Sequence, residues 1–215
     1  SRGLGDVYKR QTFSTRSVNT DTAPSERMRI DYNGNVVVGT STPSIWGRGK
    51  AIEIGSPGNA IWGDNSNGNA NGWLSLLSNA YMSASNVYTY NHTGYAALYN
   101  LTDNGTHAWL SAPTGTGGTT ATFTTNMILT SAGYLGIGIS SPSTKLHVYN
   151  PASINASVNL RIENQYPSSN VAVQFISSVR TWDIGQNILE SSTGSLEFYD
   201  RSASAQRMKI DSNGY

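Results

Sequence analysis

Tryptophan and tyrosine are concentrated in one stretch of the 215-residue chain, between Trp46 and Trp109. The chain has 5 Trp and 12 Tyr residues, and nine of these aromatic residues lie in that stretch, more than an even distribution would give. Asn and Thr residues are frequent between them. Aromatic rings stack on the C–H faces of sugars, while amides and hydroxyls bond sugar hydroxyl groups. This stretch is therefore a candidate glycan-binding surface, with possible contacts at Trp73, Tyr88, Tyr90, Tyr95, Tyr99 and Trp109.

The same rings also have a structural interpretation, and for any given ring we expect it to apply more often than glycan binding. They can fill narrow β-structured cores or the seams between chains. Among the candidates, Tyr88, Tyr90, Tyr95 and Tyr99 flank a turn at 91–94, so we expect these four to be the exposed ones.

Other site chemistry finds little support. The loop 64–72 resembles a calcium loop but has one carboxylate, Asp64, and Ser75 stands where a closing Glu would be needed. The three histidines have no partner at metal-ligand spacing. Glu53, Asp64 and Asp103 are far apart in sequence, which disfavours glycoside cleavage. We therefore expect no catalytic, cofactor-binding or metal-binding residues, no cofactor and no enzyme.

Charge and composition narrow the class of protein. The chain has 14 basic and 13 acidic residues, and from 54 to 144 the only charged side chains are Asp64 and Asp103. So neutral a chain is not expected to bind nucleic acid. It has no cysteine and no apolar run long enough to cross a membrane. Its abundance of Gly, Ser, Thr and Asn predicts an all-β, turn-rich fold without long helices.

A repeated segment organises the chain. It occurs at Glu26–Ser44, at Asn126–Ser143 and, truncated, at Gln206–Tyr215, with Met28, Met127 and Met208 aligned. The copies are unequally spaced, which suits a connector with different modules between its copies better than a short-period solenoid. The organisation expected is a non-native or disordered leader (1–11), a first connector (12–49), a low-charge aromatic β module (50–125), a second connector (126–150), a second β module (151–205) and a truncated third connector (206–215).

Each connector predicts a β-hairpin. Met28, Ile30 and Tyr32 alternate with polar residues, and Asn33-Gly34 supplies the positive φ angles of a tight turn. Val36 and Val38 then continue the alternation. A lone hairpin is marginal in water, so its apolar face must be buried on the next module or on a neighbouring chain. Further short strands are predicted along the chain, among them Ala121–Thr124 and Val158–Glu163.

The connectors resemble repeats of bacteriophage tail fibres and related virion appendages. In that family an ERMRID-like strand is followed by a glycine turn, a GIGT-like run, an SP dipeptide and a KLHV-like strand. The matching residues here are Glu26–Asp31, Val36–Ser44, Leu135–Ser143 and Lys145–Val148. The second connector departs from the pattern at 128–130, where the charged residues are missing, and at Ile139.

The resemblance implies an elongated homotrimer of short antiparallel strands and hairpins, in which three chains together complete the core. It also implies a place in the virion tail fibre after synthesis in the host cytoplasm, other fibre segments as partners, a role in host attachment, and an endosialidase-type chaperone domain downstream in the full protein. We expect a single chain to expose large apolar patches.

Three functions remain open at this point. The chain is a structural segment of a phage tail fibre, or its module Trp46–Thr125 is a receptor-binding knob for a host cell-surface glycan. Alternatively, it belongs to a trimeric bacterial surface adhesin.

Overall fold

The computed structural model describes residues 11–15, 23–64, 72–150, 160–163, 170–186, 188, 194–211 and 213–215. Over these residues the chain is all-β, as the composition predicts, with strands and turns and no helix. It divides into two compact units, Ser1–Val158 and Asn159–Tyr215.

The first unit consists of one large sheet and a small hairpin. Its described strands are β1 (Gln11–Thr15), β2 (Ser25–Ile30), β3 (Val36–Val38), β4 (Lys50–Ile54), β5 (Ala60–Asp64), β6 (Trp73–Ser78), β7 (Ala80–Met82), β8 (Tyr88–Tyr90), β9 (Gly94–Leu101), β10 (His107–Gly115), β11 (Thr124–Leu129), β12 (Leu135–Ile137) and β13 (Leu146–Val148). Strands β7 and β8 form the hairpin, and the other eleven form the sheet in chain order. Neighbours are antiparallel except β3–β4 and β12–β13, which are parallel. The sheet therefore runs without a break through the first connector, the aromatic module and the second connector.

The connector turn has a three-residue loop. Gly34 N donates to Asp31 O (3.0 Å), and Asp31 Oδ1 accepts from Asn33 N (2.9 Å) and Asn35 N (2.8 Å). Gly34 has φ +82°, which favours glycine, whereas Asn33 keeps a negative φ. The predicted two-residue turn with positive φ at both positions is therefore wrong. The loop is a tight turn closed by a glycine bulge, and the Asp31 carboxylate orders it.

The other connectors repeat this turn. Gly133 N donates to Thr130 O (2.8 Å), and Gly214 N donates to Asp211 O (3.0 Å). The side chain of the first turn residue again accepts a backbone N–H four residues on, from Tyr134 to Thr130 Oγ1 and from Tyr215 to Asp211 Oδ1, each at 3.1 Å. The repeat seen in the sequence is thus a repeat of hydrogen-bonded geometry.

Each connector strand also contains a β-bulge just before its methionine. Register shifts leave Arg27, Asn126 and Arg207 without a cross-strand partner residue. Their side chains bond the preceding strand at distances of 2.8–3.1 Å, on Thr15 Oγ1, Ser111 Oγ and Asp200 Oδ2 respectively. The bulge fixes which face of the sheet the following Met-x-Ile or Met-x-Leu residues occupy.

One face of the large sheet is covered by the chain itself, and we call it the packed face. Trp62 is fully buried there among small side chains such as Ala51 and Ala60. The β7–β8 hairpin packs on this face, and Trp46 stacks on Trp62 with ring centroids 6.4 Å apart. Trp62 Nε1 donates to Arg48 O (2.9 Å), so its polar atom is satisfied in the core.

A buried carboxylate anchors the first connector to the packed face. Glu53 is fully buried and accepts from Ser44 Oγ (2.6 Å), Ser44 N (3.0 Å) and Gly58 N (2.5 Å). In the second connector His147 occupies the matching strand position, and its Nδ1 accepts from Ser143 N at 3.3 Å in a more exposed site. The two crossover loops are therefore held by different chemistry.

The second unit is a four-stranded antiparallel sheet. Its strands are β14 (Val171–Ile176), β15 (Thr181–Gln186), β16 (Leu196–Asp200) and β17 (Ala205–Ile210), paired in chain order. Asp183 is fully buried and ion-paired with Arg201. Burial alone would raise the pKa of the Asp200 carboxyl, but the Arg207 hydrogen bond, the Ala203 N–H and the nearby Arg180 charge together lower it.

Three sequence expectations need correction or restriction. Ala121–Thr124 is not a strand: β11 starts at Thr124, and Ala121 N donates instead to Tyr88 O (2.7 Å) because this segment crosses the hairpin. Residues 160–163 are irregular, so the strand predicted over Val158–Glu163 is wrong there, and 158–159 lie outside the described residues. Gln11, placed in the leader, begins β1, while residues 1–10 also lie outside the described part.

Candidate functional site

Tyr90 belongs to the core, and the half-buried Tyr88 packs against it. Tyr90 is 3% exposed, and its hydroxyl donates to Pro113 O. A Cβ at Gly115 would lie 2.1 Å from Tyr90 Cε2, so glycine is needed where the ring crosses β10. The prediction that Tyr90 is an exposed contact is wrong, because the β7–β8 hairpin folds back onto the packed face.

Tyr88 has a similar structural role on the other strand of the hairpin. Its ring packs edge-on against Trp62 (6.3 Å) and Phe123 (5.2 Å). Burial raises the pKa of the Tyr88 phenol to about 12, while a hydrogen bond with Ser75 opposes the shift. The expectation that this side chain is free for ligand contact is therefore also wrong.

The remaining four candidates lie on different sides of the sheet. Trp73 is 42% exposed at the end of β6, cross-strand from Asp64 on the packed side. Tyr95, Tyr99 and Trp109 lie on the opposite face. The structure therefore divides the six aromatic candidates among the core, one edge of the packed side and the other face.

Only Tyr99 and Trp109 form a close pair among those four. Their ring centroids are 5.0 Å apart with planes inclined by 38°. The Tyr99 hydroxyl is 2.7 Å from His107 Nδ1. Tyr95, at 76% exposure, lies further along β9 on the same face.

These rings belong to a much larger feature, which we call the open face. Directly paired residues of neighbouring strands share a face, so the pairing traces a row of side chains across the sheet. One such row, the central apolar row, crosses ten strands without a charged residue. It consists of Ile30, Val36, Ile52, Ile61, Leu76, Tyr99, Trp109, Met127, Ile137 and Val148.

The row remains accessible in the single chain. Each of its members is half-buried or exposed, with Ile61 at 38% and Leu76 at 50% exposure. A second row, the flanking row, lies beside it and consists of Leu74, Leu101, His107, Leu129, Leu135 and Leu146. At about 4.8 Å per strand, the central apolar row extends over more than 40 Å. The large exposed apolar patch expected for a single chain is thus present.

The first connector also contributes side chains to the open face. The alternation of apolar and polar residues in its sequence did not decide whether its apolar face is buried on the next module or on a neighbouring chain. Val37, on the packed face, is fully buried, whereas Val38 is 37% exposed and Met28 and Ile30 are half-buried. The hairpin therefore does not bury its Met28–Ile30 face on the next module. That face continues into the central apolar row instead.

The second unit presents a face of the same kind. Val173, Ile184, Phe198 and Met208 are paired in a row across its four strands. Phe175, Leu196 and Ile210 on this face are 39–54% exposed. Met208 and Ile210 belong to the third connector and correspond to Met28 and Ile30 of the first. Each connector thus places its Met-x-Ile or Met-x-Leu residues on an accessible apolar face.

Sequence reasoning selected the aromatic stretch and missed this face. The signal was present as Ile52-x-Ile54 and Leu74-x-Leu76, but neighbouring residues on the other face are often apolar too, as Leu77 is beside Leu76 and Trp62 beside Ile61. Period-two alternation cannot tell which of two apolar faces the chain itself will cover.

Within the described ranges no group of three or more His, Asp or Glu side chains is arranged to hold a metal ion. No helix among the described residues is long and apolar enough to cross a membrane. No protein-family model matches the chain, and no curated protein or solved structure is significantly similar to it.

Proposed function

We propose that this chain is a structural segment of a homotrimeric bacteriophage tail fibre, located in the virion and contributing to host attachment. The observation that carries the proposal is the uncharged central apolar row on the open face. A second layer is needed to remove this row from water, and burial of apolar surface contributes about 25 cal/mol per Å². Two further copies of the same chain supply that layer in the proposed trimer.

The direction of the row favours a fibre over a compact oligomer. The row runs across the strands, along the direction in which strands are added to the sheet. An axis parallel to it lets three identical sheets face one another along their whole width. Within the first unit, both connectors and the module between them add strands along that axis, which suits a segment that spans distance.

The connectors are the feature that supports a tail fibre in particular. Their sequence resembles virion appendage repeats, and each repeats one turn, one bulge and one apolar face. Within a fibre, this repeat would keep the side chains that contact the other copies in register while the intervening modules differ.

A matched pair of aspartate variants tests the proposal. Ile61 lies in the central apolar row and Val87 lies in the turn of the β7–β8 hairpin, and both are 38% exposed. In a trimer, Ile61→Asp would bury three unpaired carboxylates at several kcal/mol each, whereas Val87→Asp would stay in water. We expect wild type and Val87→Asp to sediment at three times the 23.0 kDa chain mass, and Ile61→Asp as a monomer.

Two results would overturn the trimer. One is a wild-type chain that sediments as a monomer at micromolar concentration. The other is an Ile61→Asp variant that assembles as well as Val87→Asp does. Circular dichroism of both variants checks that the chain still folds.

A second candidate function is a glycan-binding knob, and the Tyr99–Trp109 pair favours it. The two rings are in contact on the open face, and the exposed Tyr95 lies four residues away along β9 on the same face. If this is the function, the chain captures glycans on an array, and Trp109→Ala abolishes the capture without changing the oligomeric state. A trimer that captures no glycan would rule this candidate out.

A further inference from the structure

Among the members of the central apolar row and the flanking row, His107 is the one side chain that can gain a positive charge. It lies in the flanking row, cross-strand from Leu101 on β9 and from Leu129 on β11. The other members of both rows are aliphatic residues, methionine, Tyr99 and Trp109. An imidazole at this position therefore introduces a group that gains a charge between pH 5 and 8 among uncharged side chains. The charged Lys50 lies on the same face several strands away, cross-strand from Gly63, which pairs with Leu74.

The two strands paired with β10 place no counter-charge opposite His107. From β9, the titratable group facing His107 is the Tyr99 hydroxyl, 2.7 Å from Nδ1. From β11, the facing residues Leu129 and Met127 are not ionisable. A protonated imidazole can keep its bond to the phenol oxygen, but no carboxylate faces it from either neighbouring strand to offset the cost of burying its charge.

We propose that His107 makes self-association through the open face sensitive to acid, with the trimer favoured near neutral pH and weakened near pH 5. This inference rests on the proposed function. Rotation about a threefold axis leaves the height of an atom along the axis unchanged, so the three His107 side chains occupy one layer. Protonation would thus place three like charges at one level of a desolvated interface.

The expected effect is large enough to measure. Because histidine gains its charge within the range from pH 8 to pH 5, an interface that admits only the neutral form is expected to lose at least about tenfold per imidazole between pH 7.5 and pH 5.0. Three copies together lose at least about 1,000-fold in the trimer association constant when protonation is fully excluded.

Sedimentation velocity of the full chain in a urea series, at pH 7.5 and at pH 5.0, measures the urea midpoint of dissociation. Wild type is expected to dissociate at a lower urea concentration at pH 5.0. His107→Gln keeps a polar side chain next to Tyr99 but cannot be protonated, and its midpoint is expected to change little. His147→Gln is the matched control, because His147 lies on the opposite face of the sheet.

The outcomes separate this inference from the proposed function. A wild-type trimer with the same midpoint at both pH values overturns the role of His107 and leaves the fibre proposal intact. A drop in His107→Gln equal to that of wild type shows that another group is responsible, which also overturns it. A monomer at pH 7.5 without urea overturns the proposed function, and this inference falls with it.

Discussion

On one face of the 11-stranded sheet Trp62 is completely buried under a hairpin of the same chain, whereas on the other face its neighbour Ile61 is 38% exposed. The two side chains are adjacent in β5, and both are large and mainly apolar. What separates them is coverage: β7, β8 and Trp46 lie over the packed face, while the side chains of the open face stay accessible. Hydrophobicity alone therefore does not say where a β-protein's own core is.

The two faces also differ in the kind of side chain they carry. The packed face mixes large and small residues with buried polar groups, such as Trp62 beside Ala51 and Ser75, which suits a hairpin of irregular shape. The central apolar row carries ten aliphatic or aromatic side chains, ranging in size from Val36 to Trp109, and no charged one. An uncharged row of that kind can be buried around a symmetry axis without leaving an unpaired charge.

The largest expected effect comes from removing the centre of the packed face. In an Ile61→Asp background, where a monomer is expected, Trp62→Ala should lower the free energy of unfolding by about 3–5 kcal/mol, because it leaves a large cavity. Leu76→Ala on the open face should cost less than about 1 kcal/mol, since Leu76 is already half exposed. Urea unfolding followed by circular dichroism measures both. If both variants lost the same free energy of unfolding, the packed face would contribute no more to the stability of the single chain than the open face does.

Much of the fold follows from the sequence by local rules. The strands at Lys50–Ile54, Trp73–Ser78 and Val171–Ile176 were predictable from short apolar runs between turn residues. The connector turns were predictable from Asn-Gly or Ala-Gly, although the loop has one more residue than expected. These features depend on a few neighbouring residues, which is why the sequence is informative about them.

The rest depends on contacts distant in sequence. Tyr88 and Tyr90 occupy alternate positions of β8, as the side chains of an exposed strand also would. Tyr90 is buried and Tyr88 half-buried only because their hairpin folds onto β5, β9 and β10. The bulge at Arg27 has no local sequence signal, yet it sets the face that Met28 occupies. The choice between packed and open face was therefore outside the reach of pattern analysis, and so was the site.

The second-largest expected effect is a loss of stability at high pH, and it arises from the Tyr88 phenol on the packed side. Because burial raises the pKa of Tyr88 to about 12 from an ordinary 10.0, the folded chain keeps this proton at a pH where the unfolded chain has lost it. Stability is therefore unaffected below pH 10 and falls as the pH rises from 10 to 12, by about 2.7 kcal/mol for one group. Unfolding free energies between pH 9 and pH 12 measure the slope.

Tyr88→Phe is the control for that slope. Phenylalanine keeps the ring against Trp62 and Phe123 but has no proton to lose, so the decline attributable to this site should disappear. A wild-type ultraviolet titration in which every tyrosine ionises near pH 10 would show that the hairpin does not shield the packed face.

The smallest expected effect concerns the hydrogen bonds that fix the two crossover loops, and it compares the stability lost when Glu53 or His147 is replaced. Glu53→Gln replaces one carboxylate oxygen with an amide that cannot accept from Ser44 N or Gly58 N, so a buried donor loses its partner at a cost of about 1–3 kcal/mol. His147→Gln, at the matching position of the second connector, should cost less than about 0.5 kcal/mol, because its bond to Ser143 N is long and in a more exposed site. Urea unfolding of both variants decides. If the two variants lose the same free energy of unfolding, burial on the packed face does not increase the contribution of Glu53 to stability. The two crossover loops then contribute equally to stability, as their similar backbones would suggest.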